Sequence, residues 1–287
     1  MKKIIIPTNF TEESKNTIFY GLELAAEQNL SVEIIHVIDI NIVAPEVGPM
    51  GGTMVNAAQI NLGELEETAR ENFDKLSEEI KTHCQAESFQ NFSIRVERGD
   101  PGEFIIALSK EQDTEAILLT GKTQNDNFLG FLGKRNNRII EEAECPVWVI
   151  PGRVNFTAYR KVLYATDYKE KDIETIKKVM DLINKYLAQI ILLHITEDAI
   201  NMDAEVKEAG FEKIVKEKTG YNHIRMVTLS GKEIPETVNE FACKAGVDLI
   251  IMLKEDRSFF EKIFTSSETN QLIDMTDIPL LIYHESS

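Results

Sequence analysis

The chain has 287 residues, enough for two domains of common size, and its 43% hydrophobic and 28% charged content is that of a folded protein rather than a disordered one. Aspartate and glutamate number 48 against 31 lysines and arginines, a formal charge of −17. This balance lacks the positive footprint of a nucleic-acid or anionic-membrane binder. The first residues, MKKIIIPTNF, carry too short an apolar run for a secretory signal and read as a first strand. No apolar run approaches the roughly 20 residues of a membrane span. Three cysteines, Cys84, Cys145 and Cys243, form no disulfide framework and suggest a reducing compartment. The expected location is the cytoplasm.

In chain order, residues 3–7 form a β-rich apolar run. Thr11 is a candidate N-cap for a helix reaching about Gln28, with Ile18, Leu22 and Ala25 on one face. Residues 32–38 read as a second strand. Residues 41–58, with two prolines and three glycines, read as a long loop, of the kind that is more often functional than incidental. Leu62, Leu65, Ala69, Phe73, Leu76 and Ile80 mark a helix over about 59–84. A third strand at 92–96 is followed by the turn Gly99-Asp100-Pro101-Gly102, which opens another helix. Over 115–150 the pattern is an apolar run at 116–119, a loop starting at Gly121, further glycines at 130 and 133, an amphipathic segment, and a last run at 146–150.

The programme then repeats. RKVLYATDYKEKDIETI, from Arg160, aligns with KKIIIPTNFTEESKNTI, from Lys2, and Thr8/Thr166, Glu12/Glu170, Ile18/Ile176 and His36/His194 share one offset. Two alternating strand–helix series argue for two α/β domains, 1–152 and 160–287, each with a five-stranded parallel sheet and helices on both faces. The boundary falls near 151–155.

Strands ending in Pro7-Thr8-Asn9-Phe10 and Ala165-Thr166-Asp167-Tyr168, a histidine closing each second strand, and the final Cys145-Pro146-Val147 and Ile278-Pro279-Leu280 segments resemble a tandem universal stress protein. The resemblance implies two Rossmann-like (adenine-nucleotide alpha-hydrolase-like) domains paired as a pseudo-dimer through their last strands. In that pairing Trp148, otherwise a candidate for an exposed apolar edge, faces residues 280–283. The alternative is that both strands are buried in separate sheets. The resemblance also implies an adenine nucleotide, ATP or ADP, held by a strand-one aspartate and by a glycine loop after strand four. Glycines let backbone approach phosphate closely, and helix-start N–H groups donate to it.

The match to that pattern is partial. In the first domain Pro7, Thr8 and Asn9 stand at the strand-one end, with Asn9 in the aspartate position. Gly121 and Gly133 match two glycines, Gln124 replaces the middle one, and the basic pair Lys134 and Arg135 follows where a hydroxyl residue belongs. A lysine there substitutes a full charge for a hydrogen bond. The second domain keeps Asp167 and Ser267, but Leu253, Asp256 and Ser266 fill the glycine positions. Two unit charges at 4 Å repel by about 4 kcal/mol at an effective dielectric near 20, so acid at Asp256 and Glu255 opposes a phosphate there. No nucleotide is expected in the second domain.

Gly121-Lys122-Thr123 does not complete a P-loop, because Ala116 stands where its first glycine is needed. His36 and His194 read as packed or hydrogen-bonded strand-end residues, Cys145 as a small buried hydrophobe, and adjacent His83 and Cys84 are not spaced as a zinc site. No nucleophile, base or metal-binding carboxylate pair identifies an enzyme. The expected function is stress response by binding, either as an adenine-nucleotide sensor or as a nucleotide-free interaction scaffold. Unnamed protein partners or a homo-oligomer accompany either version.

Overall fold

The computed structural model describes residues 1–40, 62–83, 91–121, 130–198, 200–254 and 276–284, without the side chains of 83, 130–135 and 184. The 41–58 loop, Cys84, Gln124, and Glu255, Asp256, Ser266 and Ser267 lie outside the described residues.

The first half runs β1 (Lys3–Pro7), α1 (Glu12–Gln28), β2 (Ser31–Asp39), α2 (Leu62–His83), β3 (Phe92–Gly99), α3 (Pro101–Leu108), β4 (Thr114–Thr120), α4 (Gly130–Glu142) and β5 (Val147–Ile150). The second half runs β6 (Lys161–Ala165), α5 (Glu170–Ile183), β7 (Gln189–Thr196), α6 (Met202–Thr219), β8 (Ile224–Ser230), α7 (Ile234–Ala245), β9 (Leu249–Lys254) and β10 (Leu280–His284). The predicted cap is in place, Thr11 accepting from the Ser14 amide; at the predicted turn Asp100 caps α3 by accepting from the Glu103 amide, with Pro101 opening the helix.

All ten strands join one sheet in the order β3-β2-β1-β4-β5-β10-β9-β6-β7-β8. Every pairing is parallel except the central one, where β5 meets β10 antiparallel, with Trp148 opposite Leu281. The seam therefore unites the halves as the last-strand pairing predicts, and the alternative of two separate sheets is not what forms. Trp148, the edge candidate, is only 3% exposed. One face of the sheet buries α1, α2, α5 and α6 residues such as Ile18, Phe73, Ile176 and Phe211; the other buries α3, α4 and α7 residues such as Ile105, Ile140 and Val238. Both cores run across the seam.

The linker is locked onto the first face. Tyr20 and Tyr159 share a buried hydroxyl–hydroxyl hydrogen bond of 3.0 Å, Phe156 packs edge-on against Tyr20, and Tyr159 stacks near Trp148. Asn16 donates to the Val154 carbonyl, and Lys185 forms an ion pair with Glu27 on α1.

Candidate functional site

In each half the strand order turns back at one point, between β1 and β4 and again between β6 and β9, so that successive helices leave to opposite faces there. The carboxyl ends of such strands flank the crevice in which open α/β sheets hold ligands. Pro7, Thr8, Asn9 and Gly121 sit at those ends in the first half, brought together from opposite sides of the crevice. α4 opens at Gly130, so Gly133 closes its first turn and Lys134 and Arg135 begin the second. Their side chains lie outside the described residues.

The turn after β1 is tightly built. Thr8 is buried, its amide donates to Ile35 O, its hydroxyl is 3.0 Å from that of Ser14, and it also accepts from the Phe10 amide. Phe10 has φ 63°, a left-handed conformation that costs a large side chain energy unless the surroundings hold it. Here the ring is held by His36 at 4.7 Å and Phe73 at 4.8 Å. His36 Nδ1 lies 2.8 Å from Thr8 O, so that nitrogen carries the proton and donates it. Burial holds the imidazole below its ordinary pKa, hence neutral near pH 7. Asn9 Oδ1 accepts from the Thr11 amide and hydroxyl, ordering the start of α1. Gly121 donates to Ile150 O at 2.7 Å, and a Cβ at this position would lie 3.2 Å from the same oxygen. Close strand packing alone therefore accounts for this glycine.

The second half repeats the device with different chemistry. Tyr168 has φ 62°, packs 4.3 Å from His194 and bonds through its hydroxyl to Thr228 at 2.8 Å. His194 Nδ1 donates to Thr166 O at 2.8 Å and is likewise held below its ordinary pKa by burial. Beneath the turn lies Asp172, 2% exposed. It accepts from the Tyr164 and Thr166 hydroxyls and from the Asp167 and Lys169 amides. Desolvation outweighs these bonds and raises its pKa.

Two structural features near the strand ends have no equivalent in the sequence reading. One is Asp172. The other is a contact between halves: Lys254 at the end of β9 donates to Glu141 O at 2.6 Å, and His284 at the end of β10 donates to Ile140 O at 2.8 Å. These groups satisfy the last carbonyls of α4, where the Lys254 charge also complements the helix dipole. The signal was the placement of Lys254 and His284 at strand ends, but only the antiparallel seam reveals which helix they reach.

Catalytic chemistry finds little here. Among the described residues no group of three histidines, cysteines or carboxylates could hold a metal ion. The Cys145 thiol is buried and its pKa is pushed up to about 12 by desolvation, which makes it a packing group. Among the described residues no helix is long and apolar enough to cross a membrane.

The profile of the universal stress protein family matches residues 1–151 and, a second time, residues 158–284. The chain belongs to the universal stress protein family. It carries two universal stress protein domains in tandem, each supplying half of the continuous sheet. Universal stress protein MJ0531 of Methanocaldococcus jannaschii is 29% identical over 152 residues, 52% of this chain and 81% of that protein. Among solved structures, a universal stress protein from Archaeoglobus fulgidus superposes with a TM-score of 0.71 at 15% identity, covering 98% of this chain and 96% of that one. One from Pseudomonas aeruginosa gives 0.57 at 11% identity, covering 99% and 93%. The structural likenesses speak for the universal stress protein fold.

Proposed function

We propose that this universal stress protein acts in the cytoplasm by binding and not by catalysis, with its first domain taking ATP or ADP. The observation that carries the reading is the meeting of Pro7, Thr8 and Asn9 with Gly121 across the β1/β4 switch point. The strand-one turn would hold the base, Asn9 presenting its Nδ2 hydrogens. The N-terminal part of α4, with Gly133, Lys134 and Arg135, would take the phosphates. The second domain, with acid in the corresponding loop, would stay empty.

A second reading, a nucleotide-free interaction scaffold, is favoured by two contacts. Asn9 Oδ1 is already used to order α1, and Gly121 is explained by its approach to Ile150 O.

Native mass spectrometry of the purified chain followed by ATP and ADP titration separates the readings. Under the first, nucleotide binds and raises the melting temperature, Gly133→Asp abolishes binding, and Ser267→Ala leaves it unchanged. No bound nucleotide and no thermal shift at millimolar ATP would leave the scaffold. Steady ATP turnover lost in Lys134→Ala would instead make the protein an enzyme.

A further inference from the structure

The sheet ends at β3 on one side and at β8 on the other, and the two edges are finished differently. In a parallel ladder alternate residues turn their N–H and C=O groups away from the neighbouring strand. Ile190 donates to His223 O and is in register with Ile224, which turns Ile224, Met226 and Thr228 outward along β8. The Met226 amide is already taken there, donating to Glu212 Oε2 on α6 at 2.8 Å, and Lys216 holds that carboxylate at 2.6 Å. One helix side chain thus closes the β8 edge at its middle.

On β3, Val32 donates to Asn91 O and is in register with Phe92, so Phe92, Ile94, Val96 and Arg98 turn outward. Among the described residues no side chain bonds to these amides. The strand is eight residues long, and Ile94 is 37% exposed. A long edge that no described residue covers, with an exposed isoleucine, is a template for another strand.

We propose that two copies of the chain pair antiparallel through β3, about a two-fold axis at Val96. The outward groups bond only if the even-numbered residues of one copy face those of the other. An axis at Arg95 would set that guanidinium against itself, and an axis at Glu97 would oppose two carboxylates; like charges directly opposite are destabilising. An axis at Ile94 leaves Arg95 facing Ser93 and Glu97 facing Asn91, with no charge pairing.

The axis at Val96 alone sets Arg95 against Glu97 of the second copy, twice, in the closely spaced pairs of the ladder. Within one copy these two side chains already meet at 2.7 Å on the same face of the strand, so both are positioned for the exchange. The same register places Val96 against its own copy and Ile94 beside the aliphatic stem of Arg98. The occupant is therefore a second copy, selected by backbone parity and charge complementarity together.

Sedimentation equilibrium of the full chain across the micromolar range, at physiological salt where charges beyond roughly 8 Å are screened, tests this. The wild type is expected to reach a mass twice 32.6 kDa. Arg95→Glu and Glu97→Arg, each alone, create like-charged pairs across the axis and should return the mass to that of the single chain. The combined R95E/E97R variant rebuilds both pairs and should restore the dimer, a recovery that a misfolded protein could not show. Val96→Pro, which removes an outward amide but no bond to β2, should also be monomeric. A wild type that stays at the mass of one chain overturns the proposal. So does a dimer that Arg95→Glu, Glu97→Arg and Val96→Pro all leave intact.

Discussion

Beneath the strand-one turn of each half, three places into the following helix, lies one polar residue: Ser14 on α1 and Asp172 on α5. Ser14 bonds through its hydroxyl to that of Thr8 and to the Thr11 carbonyl, with its amide capped by Thr11. Asp172 gathers two hydroxyls and two amides, and it returns a bond to the amide just before its own helix, as in a capping box. The strands have changed with it. Ile6 in β1 stands where β6 has Tyr164, and Gly21 of α1, where a Cβ would meet Ile6 Cδ1 at 2.3 Å, stands where α5 has Val179. The same backbone turn, with the same left-handed aromatic residue, is thus held by neutral hydroxyl groups above a close Ile6–Gly21 fit in one half and by a buried carboxylate in the other. The comparison shows that repeat-related positions changed as sets, while the turn geometry and its histidine stayed.

The sharpest way to break the comparison is to ask whether the halves are independent at all. Trp148→Ala removes the largest side chain of the seam and is expected to cost about 4 kcal/mol, the usual range for a buried aromatic truncated to alanine. Calorimetry should then show one transition in the wild type resolving into two in the variant; a variant with a single, merely shifted transition would mean that the cores cooperate without the seam.

Next in size is the turn itself. Asp172→Ala removes the acceptor shared by the Tyr164 and Thr166 hydroxyls and two amides, and should cost about 3 kcal/mol, whereas Ser14→Ala should cost only about 1 kcal/mol. Denaturant midpoints of the two variants measure the ratio, and equal losses would show that the halves are held alike.

The smallest effect concerns pH. His36, His194 and His284 are all held below their ordinary pKa, chiefly by burial. A depressed folded-state pKa means that the unfolded chain takes up protons first, so this stability is fully present above about pH 6.5 and is lost as pH falls through the folded-state values. The denaturation midpoint should drop between pH 7 and pH 5, and a His36→Asn/His194→Asn double variant, which keeps a donor for the Thr8 and Thr166 carbonyls, should show a flatter profile.

Much of this architecture is legible in the residues. Periodicity and the Thr11 cap locate α1, the turn at 99–102 locates the start of α3, and the constant offset between the halves, with its repeated histidine, states the tandem plan. β3 is longer than its apolar run suggests, because its later residues, Glu97 and Arg98, belong to an edge strand, where charge is tolerated. Trp148 reads as an edge residue from its own half alone; it is buried because a strand some 130 residues later covers it, as the paired last strands imply. Asp172 looks like one more surface acid in a Lys-Glu-Lys-Asp run, and only the coupled change at Tyr164 marks it as buried. The Lys254 and His284 contacts with α4 depend on the direction of the seam, which no local pattern encodes. The place of Pro7, Thr8, Asn9 and Gly121 at the ends of β1 and β4 is legible from sequence, while the local bonds, such as those from Thr11 to Asn9 Oδ1, are not.

The antiparallel seam also sets the order of events on the ribosome. β10, which lies at the centre of the sheet, is made after all the other described strands, while β5 is finished once Ile150 emerges. At about 5–20 residues per second, the apolar Val147-Trp148-Val149-Ile150 edge waits on the order of ten seconds for its permanent neighbour. During synthesis the first domain is therefore a nearly finished sheet whose apolar β5 border stays uncovered for that interval.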